Sequence, residues 1–513
     1  MSNLISKSGK KIGEVTSPQD GDLLKYNSAT GRLENLQPAA EPQPKTMLAN
    51  IGHGYGRVHV YGNQVFIAGN NGVERVYGWG ENNSLYYSKP RPFDIQPKEI
   101  VWMAQNFAQI HVVDAEGYLY SCGDDDLGSL GTGSYLSGSA STREFKRNID
   151  PNLYGPGKSV IAVWNERLSE STSTDSTGAV HVQVNDNGVY KIWAFGYNGN
   201  GQLGIGGTAN TGTPTQGSLV VLDGKKVVAY DSHSYVTMMA MDDGSLWGAG
   251  YNNHGQLGID FIGNSAISQA KDHTGAFMSD VIDVKIVYSS GIGVCSFALK
   301  SDGTVWSCGD NIDGGLGWGS AGNTQYFRQV MLNATTPLTG ITKIEDAGRG
   351  QVFAFNGTTN ELFATGRNHD GCFGDGSSGY VKRSDYAFII QTNVENFWIV
   401  GRNEAGWVTS FFKFIGDEEL YVAGNGSDYI AGRWNSEINA NSDLVRVPFP
   451  NKKGEILEVR YNGAVSGGAS YHGAMALTST GEIFVWGENA HACNMGENSI
   501  VHFQQPVLLN DYK

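Results

Sequence analysis

Eight times along the chain, an aromatic residue stands three positions before a glycine that closes an apolar run. The pairs are Tyr77–Gly80, Tyr120–Gly123, Trp193–Gly196, Trp247–Gly250, Trp306–Gly309, Phe363–Gly366, Tyr421–Gly424 and Phe484–Gly487. Successive anchor glycines lie 43, 73, 54, 59, 57, 58 and 63 residues apart. Aromatics make up 11% of the chain, so eight in register is a chance event of roughly two parts in 10⁸. A repeat of this length is one supersecondary unit that cannot bury its own apolar face and must stack on its neighbours.

Further positions share the register. Two residues past the anchors stand Asn82, Asp125, Asn198, Asn252, Asn311, Asn368, Gly426 and Asn489. These residue types tolerate left-handed backbone, so a tight turn is expected there. Five central repeats add glycines five and eight positions on, as in Gly201-Gln202-Leu203-Gly204 and Gly255-Gln256-Leu257-Gly258, with an apolar residue between them. Upstream, Met238-Met239-Ala240-Met241-Asp242-Asp243-Gly244-Ser245-Leu246-Trp247 sets two apolar runs around an Asp-Gly turn, a hairpin signal. Several short strands per unit and no convincing helix point to an all-β propeller. Seventy glycines in 513 residues, about twice the usual share, suit that many turns. With the aromatics present and little proline, the composition fits neither a disordered nor a collagen-like chain.

From about residue 47 to 513 the pattern resembles the repeats of the regulator-of-chromosome-condensation family. Those units end in a Trp-x-x-Gly-x-Asn-x-x-Gly-Gln-Leu-Gly-like run, matched almost fully at Gly196 and Gly250. The resemblance implies a β-propeller. Eight anchors imply eight blades, with seven, common in that family, as the alternative. The ring is expected to close by pairing its two ends in one blade, Met47–Gly52 supplying an inner strand and Val507–Leu509 an outer one, which removes free edges.

Residues 1–36 stand outside the repeat and read as a small hairpin segment, joined by a Pro-rich linker over 37–46 to a propeller over 47–513. The form Gly-Asp-x-Leu-x-Tyr-Asn followed by Gly-x-x-Glu-Asn resembles short elements of bacteriophage tail-fibre and virion appendage proteins. That resemblance makes Asp22, Leu23, Leu24, Tyr26 and Asn27 candidate docking residues.

Chemistry is sparse. The formal charge is −15, and basic residues adjoin only in pairs, which disfavours nucleic-acid binding. The five cysteines show no CxxC spacing, and no signal-peptide-like or membrane-spanning apolar run occurs. Cys122 and Cys308 are expected to be buried thiols. Asp124–Asp126 and Asp310–Gly314 carry clustered carboxylates, but both fall on the repeat turn and are expected to be solvated. His233 and His472 are expected to be structural. No catalytic constellation, metal site or cofactor motif is found, so the chain is expected to be non-enzymatic and without a cofactor. The aromatics before the anchors are expected to pack blades rather than stack sugars.

The leading expectation from the two resemblances is a phage virion protein, a tail-fibre or appendage component located in the virion. It would dock to other virion proteins through residues 1–45 and present loops to a host-surface receptor, as a monomer or an oligomer. The alternative is a protein-binding regulator, such as a nucleotide-exchange factor for a small GTPase.

Overall fold

The repeat around Gly250 folds as its Asp-Gly hairpin predicts. In it, Val236–Met241 pairs antiparallel with Leu246–Gly250, Ala240 facing Leu246 across the turn. An edge strand, Val227–His233, precedes them and Ser265–Gln269 completes the sheet. The computed structural model describes residues 23–27, 32–36, 46–48, 56–69, 89–90, 93–106, 109–125, 127–133, 141–167, 178–289, 293–311, 314–319, 322–346, 351–368, 371–377, 382–400, 408–424, 441–461, 464–466, 469–471, 473–487 and 503–508. They hold eight four-stranded antiparallel sheets, each contiguous in sequence, and the fold is an all-β propeller. By contacts the chain divides into two units, Met1–Lys45 and Thr46–Lys513. In the first, Leu23–Asn27 pairs antiparallel with Arg32–Leu36, Leu23 opposite Leu36. Asp22 lies outside the described residues.

Neighbouring sheets share apolar clusters, which is where burial stabilises the repeat. Val236, Leu257 and Phe327 belong to one that joins the fourth sheet to the fifth. Val113, Val182 and Phe195 join the second to the third, and Phe411, Val422 and Trp486 the seventh to the eighth. The ends do not share a sheet, contrary to expectation. The first sheet takes its strands from Thr46–Leu48, Gly56–Tyr61, Gln64–Gly69 and Lys89–Pro90, so it is complete without the C-terminal run. Phe503–Leu508 instead completes the eighth sheet beside Ile483–Gly487. The two sheets meet through side chains, Leu48 and Phe66 packing with Met475, Leu477, Ile483 and Val485. Tyr77 and Gly80 lie outside the described residues; within the first sheet, Phe66 and Gly69 show the same spacing, with Gly69 paired to Gly56.

The anchors are glycines for a steric reason. Gly250 has φ +102°, and a Cβ there would stand 2.1 Å from the carbonyl oxygen of Tyr235. At Gly258, eight residues on, a Cβ would stand 2.6 Å from the Phe327 ring of the next sheet. The aromatic three before the anchor covers the shared core, and its polar tip returns to the hairpin turn. Trp247 Nε1 donates to Ser245 Oγ at 2.9 Å, and Trp306 Nε1 to Thr304 Oγ1 at 2.9 Å.

The residue two past the anchor works differently from the expectation. Asn198, Asn252, Asn311 and Asn368 are not left-handed. Each is buried, and its side-chain oxygen accepts the backbone N–H of the apolar residue five positions on: Leu203, Leu257, Leu316 and Phe373. The amide nitrogen of Asn198 donates across the same loop to Ala209 O at 3.1 Å. Asp125 substitutes for asparagine here. It is buried rather than solvated, accepting Leu130 N–H at 2.9 Å and the Thr132 hydroxyl at 3.0 Å. Asp310, likewise expected to be solvated, is buried too. A buried, hydrogen-bonded side chain, not a permissive backbone, selects the residue two past the anchor.

Candidate functional site

Strand alternation puts the loops between first and second strands on the same face as the loops between third and fourth. In chain order, two polar stretches expected from the sequence to be variable loops, 135–142 and the insertion at 169–178 in the longest gap between anchors, fall in two such connections. The turn after Val227–His233 is unusual. Ser234 and Tyr235 both take left-handed backbone, φ +50° and +66°. Two successive left-handed positions normally call for Asn-Gly. For a serine and a bulky tyrosine the conformation costs about 1–3 kcal/mol per residue and persists only where surroundings impose it, often at functional sites.

Glu166 imposes it. This residue follows Lys158–Asn165, the edge strand of the neighbouring sheet, and is fully buried. Its carboxylate accepts the N–H of Tyr235 at 2.5 Å and of Ala179 at 3.1 Å. Burial pushes its pKa up to about 7, against the pull of those hydrogen bonds. The turn it holds presents half-buried Tyr235 beside Tyr197, ring centroids 5.6 Å apart. His233 lies edge-on to Tyr288 at 5.5 Å, and Tyr251 lies 5.9 Å from His254, whose Nδ1 is 3.2 Å from Asp310. Tyrosine and histidine rows of this kind on consecutive repeats offer rigid contact area with polar tips, the composition favoured in protein interfaces.

Arg167, next in sequence, reaches across the ring. It donates to Asp231 at 2.6 Å, to Asp346 at 2.9 Å and to the carbonyl of Ile286 at 3.1 Å, tying the third sheet to the fourth, fifth and sixth. Burial opposes its charge, but Asp231 and Asp346 outweigh that and raise its pKa.

Trp164, which stands off the repeat positions, stacks on Tyr230 at 5.2 Å. Trp398 is core, and the Tyr154 hydroxyl accepts Leu119 N–H at 2.7 Å. Tyr380, Trp434 and His472 lie outside the described residues. Cys122, Cys295, Cys308 and Cys372 are buried thiols. His111 and His181 are buried, and desolvation lowers their pKa values to about 3 and about 4. No group of three or more His, Cys, Asp or Glu suited to a metal occurs among the described residues. Glu166 and Arg167 were missed; the only signal was their place just before the 169–178 insertion.

No family model matches the chain. The human E3 ubiquitin-protein ligase HERC2 is 25% identical over 321 residues, which is 61% of this chain and 6% of that protein. The human RCC1-like G exchanging factor-like protein is 25% identical over 322 residues, 60% of this chain and 64% of its own. The repeats are RCC1-like. The X-linked retinitis pigmentosa GTPase regulator of dog is 30% identical over 157 residues, 31% of this chain and 15% of that protein. The RCC1-like match thus spans less than two-thirds of each relative's length. In fold, the RCC1-like propeller resembles Prp20p of Saccharomyces cerevisiae, with a TM-score of 0.50, 15% identity and coverage of 89% of this chain and 88% of that one. That structure is described with Prp20p's binding to Gsp1p and histones.

These relatives overturn the virion reading. They are cellular proteins named for ubiquitin ligation, GTPase regulation and G-protein exchange. The expectations of a tail-fibre or appendage role, virion location, host attachment and virion partners for residues 1–45 are corrected accordingly. The hairpin resemblance that prompted them covered under 20 residues.

Proposed function

We propose that the chain is a non-catalytic, protein-binding regulator whose loop face engages a small GTPase and favours its nucleotide-free state. The observation that carries the reading is the strained Ser234-Tyr235 turn, held by a buried carboxylate from the neighbouring sheet and flanked by Tyr197. Such a turn presents an aromatic anchor at low entropic cost on binding. Two of the relatives are named for GTPase regulation and exchange, which supports a GTPase as the partner class. All eight sheets serve as blades of one ring, supported by the packing of Leu48 and Phe66 on the last sheet. The aromatic–glycine anchors build that ring, and residues 1–36 with the linker form an appended element.

The test is release of a fluorescent guanine nucleotide from a panel of purified small GTPases. The expected result is accelerated release from at least one of them, lost in Tyr235→Ala together with Tyr197→Ala while the melting temperature stays near wild type. Unaltered release across the panel, with no stable nucleotide-free complex, overturns the reading.

A further inference from the structure

The edge strands Ile100–Gln105, Lys158–Asn165 and Val227–His233, the first strands of the second, third and fourth sheets, converge on one cavity. Each carries a one-residue register shift near its start, after Ile100, Val160 and Val227, so positions along the three strands correspond. Gln105, Asn165 and Ser232 then occupy the same place on successive strands. All three line a cavity of about 230 Å³ that also touches Trp102, Arg167 and Glu345.

The polar groups there are unequally satisfied. Ser232 shares a hydrogen bond with Thr237 at 2.9 Å. Gln105 and Asn165 are only 8% and 9% exposed, yet among the described residues neither the nitrogen nor the oxygen of either carboxamide has a partner. With the buried Arg167 Nε, which also lacks a partner, this wall holds five orphaned polar atoms; leaving such atoms unpaired is costly, and native structures keep few of them without a reason.

Charge in the wall is already balanced. Arg167 is paired with Asp231 and Asp346, Lys285 with Asp283 at 3.1 Å, and Glu345 with Lys343 at 3.7 Å. The unmet demand is therefore for groups that both donate and accept, for the two carboxamides, and for one acceptor at Arg167 Nε. Trp102 supplies the other half of the surface. It is 37% exposed; its indole N–H is used by the carbonyl of Val163 at 2.7 Å and Trp164 packs against it edge-to-face at 5.8 Å, so what it offers is the exposed part of its ring carbons. Trp164 and Tyr230 stack on each other at 5.2 Å, so no parallel slot between those rings admits a flat base.

We propose that this cavity is a binding site for a neutral monosaccharide-sized polyol, its hydroxyls meeting the Gln105 and Asn165 carboxamides and its C–H face lying on Trp102. Hydroxyls donate and accept at once, as a carboxamide pair requires. A volume of about 230 Å³ suits a single pyranose rather than a chain. The inference does not rest on the GTPase reading, although the cavity adjoins the loop face: Asn165 and Arg167 flank Glu166, and Ser232 lies two residues before Ser234.

Saturation-transfer NMR and tryptophan fluorescence on the full chain test it, with glucose, galactose, mannose and N-acetylglucosamine as probes and adenine and a capped dipeptide as competitors. Saturable millimolar binding of at least one hexose is expected, weakened about tenfold or more in Gln105→Leu and in Asn165→Leu. Because each variant removes an orphaned carboxamide, it is also expected to melt no lower than wild type without sugar. The proposal is overturned if no hexose binds at about 10 mM, if adenine or the dipeptide binds instead, if both folded variants bind as wild type does, or if both melt well below it.

Discussion

The carboxylate of Glu166 accepts the backbone N–H of Tyr235, a residue of the next sheet, at 2.5 Å. Because burial raises the pKa of Glu166 to about 7 from its ordinary 4.5, the native state holds that proton more tightly than the unfolded chain. The stabilising contribution is complete below about pH 4.5 and is lost as pH rises through about 7. His111 and His181, with pKa values lowered to about 3 and about 4, act in the opposite sense, costing stability as pH falls below about 6.5. Comparing urea midpoints of wild type and Glu166→Gln isolates the Glu166 contribution. Between pH 5 and 8 the difference is expected to shift toward the glutamine variant by about 2.5 kcal/mol. Parallel curves would rule the assignment out.

Arg167 binds two carboxylates from different sheets. Arg167→Met leaves Asp231 and Asp346 near each other in a largely buried setting, with an expected loss of about 3–5 kcal/mol in chemical denaturation. Adding Asp346→Asn is expected to recover part of it, since one uncompensated charge disappears. Non-recovery means the loss comes from packing.

Gly250→Ala meets both unfavourable backbone and the Tyr235 carbonyl, whereas Gly224, at φ +87°, has nothing within 4 Å of the place a Cβ would take. Gly224→Ala is expected to cost about 1–2 kcal/mol. Gly250→Ala is expected to cost more, and a thermal melt of the two side by side decides it. Equal costs would mean the loop around Tyr235 relaxes freely.

Asn252 serves its loop with both ends of its amide, accepting from Leu257 and donating to the carbonyl of Phe261. Asn252→Ala is expected to lose about 1–3 kcal/mol. Asn252→Asp is expected not to rescue it, because the second carboxylate oxygen would face the Phe261 carbonyl. The same denaturation measurement checks both.

How much of this was legible follows from where each constraint originates. The anchor glycine and its aromatic were readable because the need for a bare Cα at Gly250 arises in every repeat. Asn198 and Asn252 were placed in the right loop with the wrong cause: turn preference and side-chain capping favour the same residue type. Ring closure was misjudged because Met47 and Val507 both look like strand residues, and the sequence does not show which sheet each completes. Arg167, Gln105 and Asn165 were invisible for a different reason. Their partners, or lack of them, depend on strands more than fifty residues away, and no repeat position marks them.

The join between the first and last sheets is made by side chains such as Leu48 and Met475, with no shared ladder among the described residues. A ring of this kind is a split washer rather than a welded hoop. It opens at one predetermined seam without tearing any sheet, so the earliest loss of hydrogen-exchange protection on heating belongs at the two ends of the propeller, while the sheets bound by Arg167 stay shut.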